Sequence, residues 1–254
     1  MINFIVLGPQ RSGTTVVSLA LIEHPDILFY GELFNHQMGK RVSIAAREIL
    51  GSGVKIPSEL SNYGIKACSA TENGHAYLNR FYSLDVPFRA IGFKMLYTNA
   101  IRGLANRTAW DYIAAHPEIK IIHVQRENLL EIVCSIARAN MTNIWHSYET
   151  VEAEKFSITP TDCLTYFKSI HHIPVRAQGM LKTHQVLDLK YNQIANDFQG
   201  IMSRIFSFLD VNTEMKTSQK LAKISQLQPN EEIINYQELK EHFKDTGYGK
   251  YFKY

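Results

Sequence analysis

The chain has 254 residues, 45% apolar and 20% charged, and its 27 Lys and Arg against 24 Asp and Glu leave a net charge of +3. That balance excludes a disordered chain and lacks the strong basic stripe of a nucleic-acid binder, so any anion it takes is expected to be small. With roughly 150 residues per domain as a guide, and α/β proteins of about 250 residues commonly forming one unit, a single domain over 1–254 is expected.

Ile2 to Leu7 is a β-branched apolar run ended by Gly8-Pro9, the pattern of a strand buried on both faces. It is too short for a signal h-region or a membrane span and has no basic segment before it, so no membrane insertion is expected. A largely buried helix follows from Gly13 to Glu23, stopped at His24-Pro25, and Ile27 to Tyr30 reads as a second strand. Residues 38–50 read as helix, 51–62 as a loop rich in Gly, Pro and Ser, and 73–83 as helix again. Arg89 to Leu96 and Ile119 to Gln125 are strands with a helix near Ala109 to His116 between them. Leu129 to Ala139 and Thr161 to His184 read as helices, Val186 to Tyr191 as a strand, and Ile194 to Leu209 as a last amphipathic helix. Strands alternating with helices of this length imply an α/β protein with a parallel sheet and helices on both faces. Cys68, Cys134 and Cys163 are odd in number and lack C-x-x-C spacing, which supports neither a disulfide framework nor a zinc site and points to a reducing, cytoplasmic setting.

The segment Gly8-Pro9-Gln10-Arg11-Ser12-Gly13-Thr14-Thr15 lies between the first strand and the first helix. Loop N–H groups and the positive end of the following helix form an anion cradle in this setting. The spacing matches the nucleotide-binding loop GxxxxGK[ST], with Thr14 in the lysine position. A kinase or NTPase uses that lysine with Mg²⁺ on the β and γ phosphates, and no acidic residue ends a strand here as a metal ligand. Arg11 is the cation inside the loop. These features point to a donor that reacts without a metal.

Arg11 to Thr15 resembles, position for position, the [KR]-S-G-T-T loop of sulfotransferases that use 3′-phosphoadenosine 5′-phosphosulfate. His123-Val124-Gln125-Arg126, followed by a helix carrying Ser135, resembles the family's second signature, an Arg and a Ser that hold the 3′-phosphate. Ser135 stands nine residues after Arg126, a gap similar to that of the bacterial carbohydrate branch typified by trehalose sulfotransferase. Val186 to Tyr191 with the helix after it, and Ile234 to Leu239, resemble late segments of the family, although Asn192 replaces a usual Glu. The resemblance covers nearly the whole chain and implies a P-loop-type three-layer α/β fold with about five parallel strands.

The same resemblance implies roles. Arg11, Ser12, Gly13, Thr14 and Thr15 would bind the 5′-phosphosulfate, Arg126 and Ser135 the 3′-phosphate, and no metal would be required. Glu32, just beyond the second strand, matches the general base of the trehalose-sulfotransferase and glycan branches. A carboxylate beside the donor's anionic group is expected to titrate high, which suits a base near neutral pH. Arg11 would stabilise the bridging and sulfuryl oxygens. Lys94 is a candidate for substrate or loop contacts, standing where the cytosolic branch has a Lys followed by a His that is missing here. Trp145 and His146 either contact an acceptor ring or cap a helix end. The acceptor would be a small molecule, a sugar or a secondary metabolite, sulfated on a hydroxyl or less readily on an amine, and family relatives are often homodimers. A nucleotide or small-molecule kinase and a non-catalytic nucleotide-binding homologue stand as alternatives. The aromatic ending Tyr248, Tyr251, Phe252 and Tyr254 either packs, hangs as a tail or folds over the adenine. His171-His172 has no partner at ligand spacing for a metal.

Overall fold

The computed structural model describes residues 1–34, 68–69, 71–101, 103–144, 154–171, 175–217 and 227–254. By backbone contacts the chain divides into two compact units, Met1–Gln125 with Pro174–Ser218, and Arg126–Ile173 with Gln219–Tyr254.

The first unit is built on five parallel strands: β1 (Ile2–Gly8), β2 (Ile27–Tyr30), β3 (Ala90–Leu96), β4 (Lys120–Gln125) and β5 (Val186–Lys190), in the spatial order β2-β3-β1-β4-β5. The first strand in the chain is therefore the middle one in space. Parallel neighbours cannot be joined by a tight hairpin, so each pair needs a longer connection. One face carries Phe4, Val6, Phe29, Ile122 and Val124, packed on α1 (Thr14–Glu23) and on residues from a later helical pair described below. On the other face Phe93 meets Phe81 of α2 (Gly74–Tyr82), with ring centroids 5.9 Å apart, and the Tyr82 hydroxyl donates to the Phe4 carbonyl at 3.0 Å. Asn73 caps α2 by accepting from the His75 and Ala76 N–H groups, the usual way to satisfy orphan helix donors.

After β3 a 3₁₀ turn (Tyr97–Ile101) leads to α3 (Gly103–Ala115), which begins six residues before the expected helix. The small and polar residues at its start hid the apolar periodicity. The long helix expected over 161–184 is two: α5 (Pro160–His171) and α6 (Val175–Thr183), numbered after α4 (Leu129–Thr142) of the second unit. Pro174 lies in the sequence between them, and a ring without an N–H removes a backbone hydrogen bond and crowds the preceding turn of a helix. His184 falls beyond α6, its Nδ1 and Nε2 close to the Met180 and Ile113 carbonyls.

The expected helix 194–209 also divides, into α7 (Tyr191–Asn196) and α8 (Phe198–Phe208). Asp197 stops the first and caps the second, accepting from Gly200 N–H at 3.0 Å. Ile194 of α7, with Phe198, Ile201, Met202, Ile205 and Phe206 of α8, completes the core beneath α1. The helices expected over 38–50 and the loop over 51–62 lie outside the described residues.

The second unit packs α4 and α5 with α9 (Pro229–Glu232), α10 (Tyr236–Phe243) and a 3₁₀ turn at Gly249–Tyr251. Phe156 and Ile233 form an isolated parallel bridge, and Asn235 clamps Ile158 by accepting its N–H and donating to its carbonyl. The core centres on Phe167, whose ring stacks on Tyr248 at 4.8 Å and meets Phe243, Tyr251 and Phe252. The aromatic ending thus packs within this unit. Arg138 of α4 donates through Nε and Nη2 to both oxygens of Glu232, at 2.6 and 2.5 Å, and Glu232 is 1% exposed. A bidentate fork of this kind ties α4 to α9.

Candidate active site

The loop between β1 and α1 has two residues with positive φ, Arg11 at 63° and Gly13 at 97°. Left-handed backbone is costly for any residue with a Cβ, and it turns successive N–H groups toward one side of the chain. Gly13 is the N-cap of α1 and makes no side-chain cap bond, so the first helical N–H groups have no side-chain acceptor from the cap. Gly8 and Gly13 are closely packed. A Cβ on Gly13 would stand 2.9 Å from the Tyr191 ring, and one on Gly8 would stand 2.3 Å from the Val124 carbonyl.

The expected loop residues with side chains differ in burial and in hydrogen bonding. Ser12 is fully buried and donates to the Pro9 carbonyl at 2.7 Å, closing the loop on itself. Thr14 is buried as well, and its carbonyl accepts from the Ser18 hydroxyl at 2.7 Å. Arg11 is half-buried. Thr15 faces Lys94 of β3, whose Nζ donates to Thr15 Oγ1 at 3.3 Å.

Lys94 also reaches Glu32. The ion pair measures 2.7 Å, with side-chain exposures of 9% and 11%. Burying a lysine in the middle strand is expensive unless its charge is paired, and Glu32 supplies the pairing. The local fold explains how they meet. The Lys94 N–H donates to the Gly31 carbonyl at 2.8 Å, continuing the β2–β3 ladder to the residue before Glu32. Asn99 then holds the chain beyond it, accepting from Leu96 N–H at 2.8 Å and donating to the Phe34 carbonyl at 3.2 Å. Thr15, Glu32 and Lys94, from three places in the sequence, are thereby brought together toward the carboxyl ends of the strands, where open α/β sheets place their ligands.

Sequence reading missed a second polar chain in the same unit. His123 on β4 is 2% exposed. Its Nδ1 lies 2.6 Å from Asp188 Oδ1 across the β4–β5 pair, and its Nε2 lies against the Tyr97 hydroxyl. The carboxylate can only accept, which fixes the proton on Nδ1 and makes Nε2 the acceptor of the phenol. Burial pushes the His123 pKa down, opposed by Asp188, while burial pushes the Tyr97 hydroxyl well up. A histidine in an apolar run and an aspartate in register on the next strand were the signals available.

In the second unit Arg126 follows β4 directly, its side chain 10% exposed, and Nε donates to Glu131 Oε2 at 2.8 Å. Ser135 stands on α4, 9% exposed. Asn128 caps α4 by accepting from Leu130 N–H. Trp145 and His146 lie outside the described residues. The three cysteines are buried and not in disulfides, and burial raises Cys68 and Cys163 to about 12, which makes them poor nucleophiles. Among the described residues no group of three or more His, Cys, Asp or Glu is placed to hold a metal, and no helix is long and apolar enough to cross a membrane.

A strand, a left-handed loop and a helix in this order, on a parallel five-stranded sheet, define a P-loop-like α/β protein, and the sulfotransferase family matches residues 3–215. The chain belongs to the sulfotransferase family, and its activity is that of a transferase of sulfuryl groups. It is 21% identical to nodulation protein H of Rhizobium meliloti (strain 1021), over 98% of this chain and 94% of that protein. It is 22% identical to nodulation protein H of Rhizobium tropici, over 98% and 92%. Among solved structures, a sulfotransferase from Alicyclobacillus acidocaldarius matches with a TM-score of 0.52 at 16% identity, covering 96% of this chain and 91% of that one, a likeness of fold.

Proposed function

We propose that the protein transfers the sulfuryl group of 3′-phosphoadenosine 5′-phosphosulfate to a hydroxyl of a small acceptor, a sugar or a polar secondary metabolite, with Glu32 as general base. The observation that carries this reading is the buried connection Glu32–Lys94–Thr15 at the start of the helix that follows the loop.

The residues present fit an anionic phosphosulfate. Two positive-φ residues and an N-cap without a side-chain acceptor suit backbone donors to an anion, and Arg11 and Lys94 supply positive charge. Arginine at a left-handed position is a strained choice, and the strain is intelligible where its side chain serves a ligand. The Ser12 side chain serves the loop's own closure, so its contribution to the donor is assigned to its backbone N–H.

When bound, the nucleotide supplies an activated sulfuryl group. Glu32 accepts the proton of the acceptor hydroxyl as the new oxygen–sulfur bond forms and the bond from sulfur to the bridging phosphate oxygen breaks, leaving 3′-phosphoadenosine 5′-phosphate. Proton uptake cancels the charge of Glu32, and the Lys94 ammonium is then attracted to the anion that develops on the leaving side. Arg11 stabilises the bridging and sulfuryl oxygens. Arg126 and Ser135 are assigned to the 3′-phosphate, for which a guanidinium and a hydroxyl are suitable donors.

The test is calorimetric titration with 3′-phosphoadenosine 5′-phosphate in the absence of metal. Binding in the micromolar range is expected, and no binding overturns the reading.

A further inference from the structure

We propose that Asn99 is a positioning residue for Glu32, its side-chain amide tying the chain two residues beyond Glu32 to the chain two residues beyond Lys94. This rests on the reading of Glu32 as general base.

The tether replaces a rung of the sheet. The Lys94 N–H donates to the Gly31 carbonyl at 2.8 Å, and evenly spaced parallel pairing would next take the Leu96 N–H to the Leu33 carbonyl. Instead the Leu33 carbonyl accepts from the Cys68 N–H at 3.3 Å, and the Leu96 N–H donates to Asn99 Oδ1 at 2.8 Å. Asn99 Nδ2 donates in turn to the Phe34 carbonyl at 3.2 Å. One amide thus stands where a direct backbone bond would be, and it lets the two chains part beyond Gly31 while holding both. Its orientation is fixed, because only the oxygen can accept from Leu96 and only the nitrogen can donate to Phe34.

Glu32 lies in the parting stretch, between the Gly31 rung and the Phe34 tether, and its carboxylate meets Lys94 at 2.7 Å. The first anchor belongs to the regular sheet. The second depends on one side chain, 8% exposed. Phe34 also packs its ring on Phe93 and Tyr77, with centroids 5.6 and 6.0 Å apart, so the aromatic contacts seat the ring and the amide aims the carbonyl. The 3₁₀ turn that presents Asn99 is itself anchored: the Tyr97 hydroxyl lies against His123 Nε2, and His123 Nδ1 lies 2.6 Å from Asp188 Oδ1. Reacting groups need placement within about 0.5 Å, which supporting hydrogen bonds of this kind provide.

The experiment uses radiolabelled 3′-phosphoadenosine 5′-phosphosulfate with a mixture of hydroxylated sugars as acceptor, in wild type, Glu32→Gln, Asn99→Ala and Asn99→Asp. Asn99→Asp keeps an oxygen for the Leu96 N–H and loses the donor to Phe34, so it separates closure of the turn from the tether. Asn99→Ala removes both without adding charge, and carries the test if the aspartate variant does not fold. Both should lower kcat about ten- to a hundredfold, the scale of a misplacement of about 1 Å, and leave the donor KM and the calorimetric affinity for 3′-phosphoadenosine 5′-phosphate within about twofold. Crystals of either variant should show the Glu32 carboxylate displaced by about 1 Å or more. A wild-type kcat in Asn99→Asp, equal losses in kcat and nucleotide affinity, or an undisplaced carboxylate overturns the positioning role. A wild-type kcat in Glu32→Gln instead removes Glu32 as the base, and the proposal with it.

Discussion

The Lys94 ammonium and the Glu32 carboxylate meet at 2.7 Å with both side chains nearly out of solvent. Each compensates the other's buried charge, so the proposed mechanism couples activity and stability at this pair. Glu32→Gln is expected to abolish sulfuryl transfer, keep nucleotide affinity within about threefold, and lower the melting temperature because a buried ammonium is left without its carboxylate. Adding Lys94→Met should restore part of the melting temperature and none of the turnover. Turnover at the wild-type rate in Glu32→Gln would remove Glu32 as the base.

Gly13 has φ 97° and no space for a Cβ beside Tyr191. Gly13→Ala should therefore destabilise the fold by more than about 1 kcal/mol. It should also weaken nucleotide binding, since the loop must open to relieve the contact. Chemical denaturation and calorimetry read the two effects separately, and an unperturbed variant would contradict the loop geometry.

His123 titrates below its ordinary value because it is buried. Its neutral form is thus favoured by folding, and the unfolded chain binds the proton first as pH falls. Stability from this group is present above the unfolded pKa of about 6.5 and is lost as pH drops through the lower folded value. Urea midpoints measured from pH 7.5 to 5 should fall, and His123→Gln should flatten that part of the profile. An identical slope in the variant would show that other groups are responsible.

Arg138 and Glu232 form the closed pair that joins α4 to α9. Arg138→Met leaves a carboxylate that is 1% exposed without its cation, with an expected cost of about 3–5 kcal/mol. Replacing both, as Arg138→Met with Glu232→Leu, should recover much of that loss in denaturation experiments. Equal loss in the single and the double variant would show that the pair's charges do not set the cost.

The sheet was the most readable part of the chain. Strands buried on both faces are written as apolar runs such as Ile2 to Leu7 and Ile119 to Gln125, and their observed limits differ from the expected ones by a residue. Helix ends were less readable, because Asp197 acts as a stop and a start at once and Pro174 stands in a stretch of otherwise helical composition. Loop and strand candidates such as Arg11 and Lys94 carry local signatures. The Lys94–Glu32 pairing, the bond from Tyr97 to His123 and the one from Tyr254 to Glu131 join residues far apart in sequence, and no local pattern encodes them.

The position of β1 in the middle of the sheet also governs when the protein can fold. Its partners β3 and β4 pair Ile2 with Ala90 and Phe4 with Lys120, so the strand emerges from the ribosome roughly ninety residues before its first neighbour, a delay of several seconds at about 5–20 residues per second. Throughout that interval the run Phe4 to Leu7, wholly buried in the finished sheet, is an apolar segment without a partner. Sequence-distant pairing of this kind slows folding and exposes the nascent chain to aggregation, so the segment that leads into the loop is also the one most dependent on timely synthesis of the rest.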